Sequence, residues 1–171
     1  GFIYQFATIH LGMKPMEHEF KVMGLAPYAK ERYAEEVYQK LRKLFHIDKN
    51  LAFRCKYPTL FIDEYYKREM RYVRFDNFAA GVQKLIEELS LEWIRKAIKK
   101  TGIKRIALSG GVFMNVKAVK IISELPEVED IFIMPSCGDE SNAIGAAFLG
   151  YKKYCEEHNM PLDHKPIGPL Y

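Results

Sequence analysis

Twice between residues 105 and 154 the chain follows the same course: a short β-type run, a polar turn carrying glycine, then an amphipathic helix. The first copy runs through Arg105–Leu108, the turn Ser109-Gly110-Gly111, and helical spacing over 112–125 ahead of Pro126. The second is a strand over 130–134, a turn over 135–139 that contains Gly138, and a helix over 141–154. Strands that alternate with helices lie parallel, with right-handed crossovers between them. Ligands of such sheets bind beyond the carboxyl ends of the strands, and here those ends are the turns at Ser109 and Ser136. The small residues Ala143, Gly145, Ala146 and Ala147 suit the last helix to close packing on a sheet.

Upstream, helical spacing dominates. A helix over 1–12 ends at Gly12, and a short helical segment over 18–28 is stopped by Pro27. Tyr33, Val37, Leu41, Leu44 and Phe45 recur at three and four residues, so 31–45 reads as one amphipathic packing helix. The stretch 46–74 is interrupted by Pro58 and by charge, and reads as a mixed connection with one short strand or helix. A long periodic run through Phe78, Val82, Leu85, Ile86, Leu89, Trp93, Ile94 and Ile98 predicts a helix with Asp76 as N-cap and Gly102 as C-cap.

Sheets usually hold about four to six strands, so two strands are too few to cover three long helices. The chain also opens on Gly1 inside an apolar stretch of helical spacing. The expectation is therefore an incomplete α/β sheet, completed by further sequence or by a partner. Residues 159–171, with Pro161, Pro166 and Pro169, read as an interdomain linker. An uncovered apolar sheet edge favours self-association, so a homo-oligomer is one expected partner state.

Composition removes several function classes. A formal charge of +4 with pI about 8.8, spread over charges of alternating sign, makes nucleic acid an unfavoured partner. The cations between Lys40 and Arg105 keep an RNA-associated module as an alternative. Cys55, Cys137 and Cys155 have neither CxxC nor zinc-finger spacing, which fits a reducing, cytoplasmic compartment. No apolar run approaches the roughly 18 residues of a membrane helix, and no membrane partner is expected. Lysine exceeds arginine 18 to 8 and glutamine occurs three times, a bias that leans toward a thermophile.

Two segments carry chemistry. Leu108-Ser109-Gly110-Gly111-Val112-Phe113-Met114-Asn115 places a glycine pair where a strand hands over to a helix. Backbone without Cβ approaches a phosphate or an adenine closely there, and unpaired N–H groups favour an anion; the glycines fit a plain tight turn as well. The segment is not a Walker A loop, because no Gly-Lys-Ser/Thr follows. In Pro135-Ser136-Cys137-Gly138-Asp139-Glu140-Ser141-Asn142, two carboxylates precede a helix. Asp139 there reads either as a ligand of a divalent cation or as an acid complementing the helix dipole. Cys137 lacks a histidine placed by sequence and reads as a small loop residue. The cluster Tyr65-Tyr66-Lys67-Arg68 fits base stacking but fits a solvated helix face better.

Three segments in this order resemble successive motifs of the O-carbamoyltransferases of nodulation-factor and antibiotic biosynthesis. They are Glu19-Phe20-Lys21-Val22-Met23-Gly24-Leu25-Ala26-Pro27-Tyr28, then the segment from Leu108 to Asn115, then Gly138-Asp139 with Ala143-Ile144-Gly145-Ala146-Ala147. The resemblance implies an actin-like ATPase fold with ribonuclease-H-like lobes, related to the proteins that install threonylcarbamoyl on transfer RNA. Residues 1–158 would form the C-terminal part of the carbamoyl-transfer domain. A first lobe would precede them, and an adenylate-forming domain would follow the linker. It further implies an enzyme that uses ATP and carbamoyl phosphate to make carbamoyl adenylate, then passes the carbamoyl group to a small-molecule hydroxyl acceptor. A non-catalytic nucleotide-binding module is the alternative.

Carried over by motif, Ser109, Gly110, Gly111, Asn115 and Gly138 would line the nucleotide pocket, and Gly138 would let its loop turn. Asp139 would act in catalysis and ligate a divalent metal, iron or manganese, with magnesium as the alternative. Lys21 would contact phosphate or carbamoyl oxygen, though a lysine on a short helix also reads as a solvated charge. The family's His-x-x-x-His pair is absent: His10, His18, His46, His158 and His164 have other spacings. Where family members carry Gly-Asp-Ser-Gly, this chain reads Gly138-Asp139-Glu140-Ser141.

Overall fold

In chain order the helices are α1 (Phe2–His10), α2 (Glu19–Leu25), α3 (Glu31–Arg42), α4 (Ile62–Glu69), α5 (Phe75–Thr101), α6 (Val116–Ser123) and α7 (Ser141–Glu157). The strands are β1 (Phe45–Ile47), β2 (Phe53–Cys55), β3 (Arg105–Leu108) and β4 (Asp130–Ile133). This computed structural model describes residues 1–163, and the expected linker lies, from residue 164 onward, outside the described residues.

The long helix α5 organises the chain because its apolar stripe serves two cores. Phe78, Val82, Leu85 and Leu89 pack with Ala7, Leu41, Ile62 and Tyr66. Ile94 and Ile98 pack with Leu108, Ile122 and Leu125. Full burial of each such large side chain contributes roughly 1.5–3 kcal/mol. The helix stops as its sequence predicts: Gly102 takes φ 73° and its N–H bonds the Ile98 carbonyl at 2.8 Å. Its start differs from the expectation. Arg74 is the N-cap, and Asp76 lies inside the first turn, 2% exposed. The Asp76 carboxylate accepts from the Asn77 N–H at 2.8 Å and pairs with Arg74 at 3.0 Å, so it still sits where a helix favours negative charge.

The expected mostly parallel sheet is instead two separate pairs. β3 and β4 are parallel, with Arg105 opposite Asp130 and Leu108 opposite Ile133. β1 and β2 form an antiparallel pair, Phe45 opposite Cys55; α3 stops at Arg42, so Phe45, expected at the end of that helix, opens a hairpin that continues into the stretch read as a mixed connection. The Asp48 carboxylate shapes the turn between them, accepting from the Asn50 and Ala52 N–H groups at 2.9 and 3.0 Å and from Arg54 at 2.8 Å. α5 holds this hairpin in place: Trp93 Nε1 donates to the Leu51 carbonyl at 3.0 Å and Lys96 Nζ to the Ile47 carbonyl at 2.8 Å.

Ala143, Gly145, Ala146 and Ala147 were expected against a sheet, yet all four are exposed, as are Phe148, Leu149 and Tyr154. Two strands give α7 too little sheet to lie on. Among the described residues no helix is long and apolar enough to cross a membrane.

His10 gives the first core a pH dependence. Its ring lies against Phe78 and Tyr66, with centroids 4.7 and 5.9 Å away. Burial lowers its pKa from the ordinary 6.5, against the opposing pull of a Met70 backbone bond and Asp63. Below pH 6.5 the unfolded chain therefore takes up a proton before the folded one, and stability falls as the pH drops. His10→Phe is expected to flatten the change in urea midpoint between pH 7.5 and 5, and equal slopes in the two proteins would refute this.

Candidate nucleotide site at two strand ends

The first corner begins where β3 ends at the buried Leu108. Gly110 takes φ 104° and ψ 148°, a region open to glycine and costly for any residue with a Cβ. One tight turn follows over Gly111–Met114, closed by the Phe113 N–H on the Gly110 carbonyl (2.9 Å) and the Asn115 N–H on the Val112 carbonyl (3.1 Å). Asn115 is extended, so the helix expected over 112–125 is split there and starts afresh as α6. Its side-chain oxygen accepts from the Ala118 N–H at 3.1 Å, which caps α6.

The second corner follows β4. Ser136 donates to the Glu140 carboxylate at 2.6 Å, and the Cys137 thiol donates to the Met134 carbonyl at 2.9 Å. That hydroxyl, with backbone N–H groups, holds the Glu140 carboxyl below the usual carboxylate range. Burial pushes the Cys137 thiol up, with Glu140 adding to the shift; this keeps it protonated and makes it a poor nucleophile. A Cβ on Gly138 would collide with the Glu140 carboxylate, so glycine lets the acid fold back over the loop.

Parallel pairing brings the corners together. The Met134 N–H donates to the Leu108 carbonyl at 3.0 Å, extending the β3–β4 pairing past its last rung. Beyond it, Ser109 Oγ and Ser141 Oγ stand 3.1 Å apart. The result is a small polar platform at the carboxyl ends of both strands, beside the first turn of α7. Asp139 is exposed on its rim, with no ion pair or side-chain hydrogen bond among the described residues.

The other expected site residues are placed differently. The Asn115 side chain turns toward α5, where its amide pairs with Gln83. Lys21 is exposed on α2 with its ammonium 5.8 Å from the Phe20 ring centroid. Among the described residues no hydrogen bond or ion pair joins it to either corner. Nor do these residues form a metal cage by themselves: no group of three His, Cys, Asp or Glu side chains is close enough to hold an ion. Asp139 offers one ligand. Ser141 and Gln83 escaped the sequence reading. The signal for Ser141 was its place at a helix start after two acids, and for Gln83 a polar residue amid the apolar run of α5.

The chain is thus a mixed α/β fold in which two polar corners meet at the ends of a parallel strand pair. The sequence profile described as carbamoyltransferase N-terminus matches residues 1–148, and the chain belongs to that family. An uncharacterized Methanocaldococcus jannaschii protein, MJ1058, is 32% identical over 154 residues, covering 87% of this chain and 25% of its own length. Nodulation protein NolNO of Sinorhizobium fredii is 29% identical over 155 residues, covering 87% and 22%. Nodulation protein NolO of Bradyrhizobium diazoefficiens is 28% identical over 158 residues, covering 87% and 28%. The chain thus spans about a quarter of the length of these relatives.

Proposed function

We propose that this chain is the second lobe of an actin-like carbamoyltransferase, and that its two corners grip the phosphate of an adenine nucleotide. The enzyme would take carbamoyl from carbamoyl phosphate, by way of carbamoyl adenylate, to a hydroxyl of a small acceptor. The observation that carries this reading is the 3.1 Å approach of Ser109 and Ser141. It sets two hydroxyls beside the first turn of α7 at the ends of two parallel strands, the edge where ligands of such sheets bind.

The chemistry of transfer asks this surface for stabilisation of a departing adenylate. Backbone N–H groups at Gly110 and Gly111 would point partial positive charge at that phosphate; one such fixed donor is worth roughly 3 kcal/mol in an active site. The Ser109 and Ser141 hydroxyls donate to the same oxygens. Lys21, free of ion pairs among the described residues, is assigned to phosphate or carbamoyl oxygen. Asp139 would be one ligand of a divalent cation whose remaining ligands come from elsewhere in the full-length protein.

Asp139→Ala tests the last assignment. The residue is exposed and, among the described residues, holds no other side chain, so the variant is expected to keep its melting temperature within about a degree, as surface changes do. Metal content of the purified full-length protein is expected to fall to background. Unchanged metal content would remove Asp139 from the site.

A further inference from the structure

Gln83 breaks the apolar run of α5 at a position only 2% exposed. A primary amide there is costly unless every donor and acceptor is used, and all are. Nε2 donates to Glu87 Oε1 at 2.6 Å and to Asn115 Oδ1 at 3.1 Å. Oε1 accepts from Asn115 Nδ2 at 2.9 Å and from the Tyr4 hydroxyl. The Glu87 carboxylate fixes which way round the amide lies, because a flipped amide would set oxygen against oxygen. Asn115 is fixed in the same way, since its oxygen must face the Ala118 N–H at 3.1 Å. The reciprocal amide pair therefore locks the residue that closes the Gly110–Gly111 turn onto the most buried helix of the chain.

We infer that Gln83 is a positioning residue for the nucleotide corner, and that Asn115 acts with it by holding the backbone of residues 110–115 rather than by touching nucleotide. The Asn115 amide oxygen is taken by Gln83 and by the α6 cap, and its nitrogen donates to Gln83, so what the pair supplies to a phosphate is the aim of the backbone N–H groups before it. The functional half of this inference rests on the nucleotide reading above, whereas the mechanical half does not.

The test uses the full-length protein with Gln83→Met, which keeps the volume and removes the hydrogen bonds, with Asn115→Ala, and with the two combined. Calorimetry with ATP and site-resolved amide exchange are the readouts. Gln83→Met is expected to raise the ATP Kd about tenfold, the size of one lost hydrogen-bonded constraint. It should speed exchange over 110–118 while leaving α3 unchanged, and the double variant should bind no more weakly than the weaker single one. An ATP Kd within twofold of the parent, or losses that multiply in the double variant, would overturn the assignment, the latter by showing that Asn115 touches nucleotide itself. Should the parent not bind ATP, the nucleotide reading fails, and exchange over 110–118 still decides Gln83: an unchanged rate there overturns its hold on the corner.

Discussion

Gly110→Val is expected to weaken ATP binding by the full-length protein about thirtyfold while lowering its melting temperature only slightly. The glycine sits at φ 104° and ψ 148°, and a Cβ there would meet nothing within 4 Å. Steric clash with neighbours is therefore not the cost. The cost is backbone strain of about 2 kcal/mol for an L side chain in this region, which is close to a thirtyfold change in an equilibrium. An exposed turn relieves such strain by rotating its peptides, so the penalty appears as a rebuilt corner more than as lost stability. Calorimetry beside a thermal melt separates the two. A variant that binds ATP as the parent does would show that the Gly110 geometry has no part in nucleotide recognition.

Gly81 is the opposite case, where the fold and not the site carries the loss. A Cβ added there would lie 2.6 Å from Val37 Cβ and 3.0 Å from the Tyr38 N, and would also overlap Val37 Cγ1. α3 and α5 cross at this point, and backbone cannot move aside as a flexible side chain can. Gly81→Ala is expected to cost about 3 kcal/mol through overpacking, partly offset by about 1 kcal/mol of better helix propensity. The melting temperature should fall by roughly 5 °C or more for a chain of this size. Val37→Ala in the same protein should recover part of the loss, because it removes the Cγ1 overlap and leaves the Cβ contact. A melt within a degree of the parent would contradict so close a crossing of the two helices.

What the sequence made legible follows from where local signals and tertiary packing agree. α5 and its Gly102 stop were readable because the apolar period continues for about six turns and ends on a residue that accepts a left-handed backbone. The parallel pairing of β3 with β4 was readable from the strand–turn–helix repeat, which leaves few other topologies. The hairpin was not. Leu41, Leu44 and Phe45 satisfy helical spacing, so the α3 pattern absorbs a residue that the structure gives to β1. Strands of three residues show too little alternation to compete, and the bonds from Trp93 and Lys96 that seat the turn are distant in sequence.

The corners show the same division. Their residue types and order were visible, and so was their common edge. That Asn115 begins a new helix was signalled by its identity as a favoured N-cap, yet the apolar spacing on either side runs through it without a break. Its pairing with Gln83 joins residues 32 positions apart, which no local pattern reveals. Asp76 illustrates a smaller miss: an acid in the first turn and an acid at the cap both satisfy a helix start, and the Arg74 ion pair decided between them.

The most direct measurement is an experimental structure of the full-length protein with a non-hydrolysable ATP analogue. Phosphate oxygens are expected within hydrogen-bond reach of the Gly110 and Gly111 N–H groups on one side and of Ser141 on the other. An analogue bound with its phosphates away from both corners, and with the Ser109–Ser141 contact undisturbed, would contradict this.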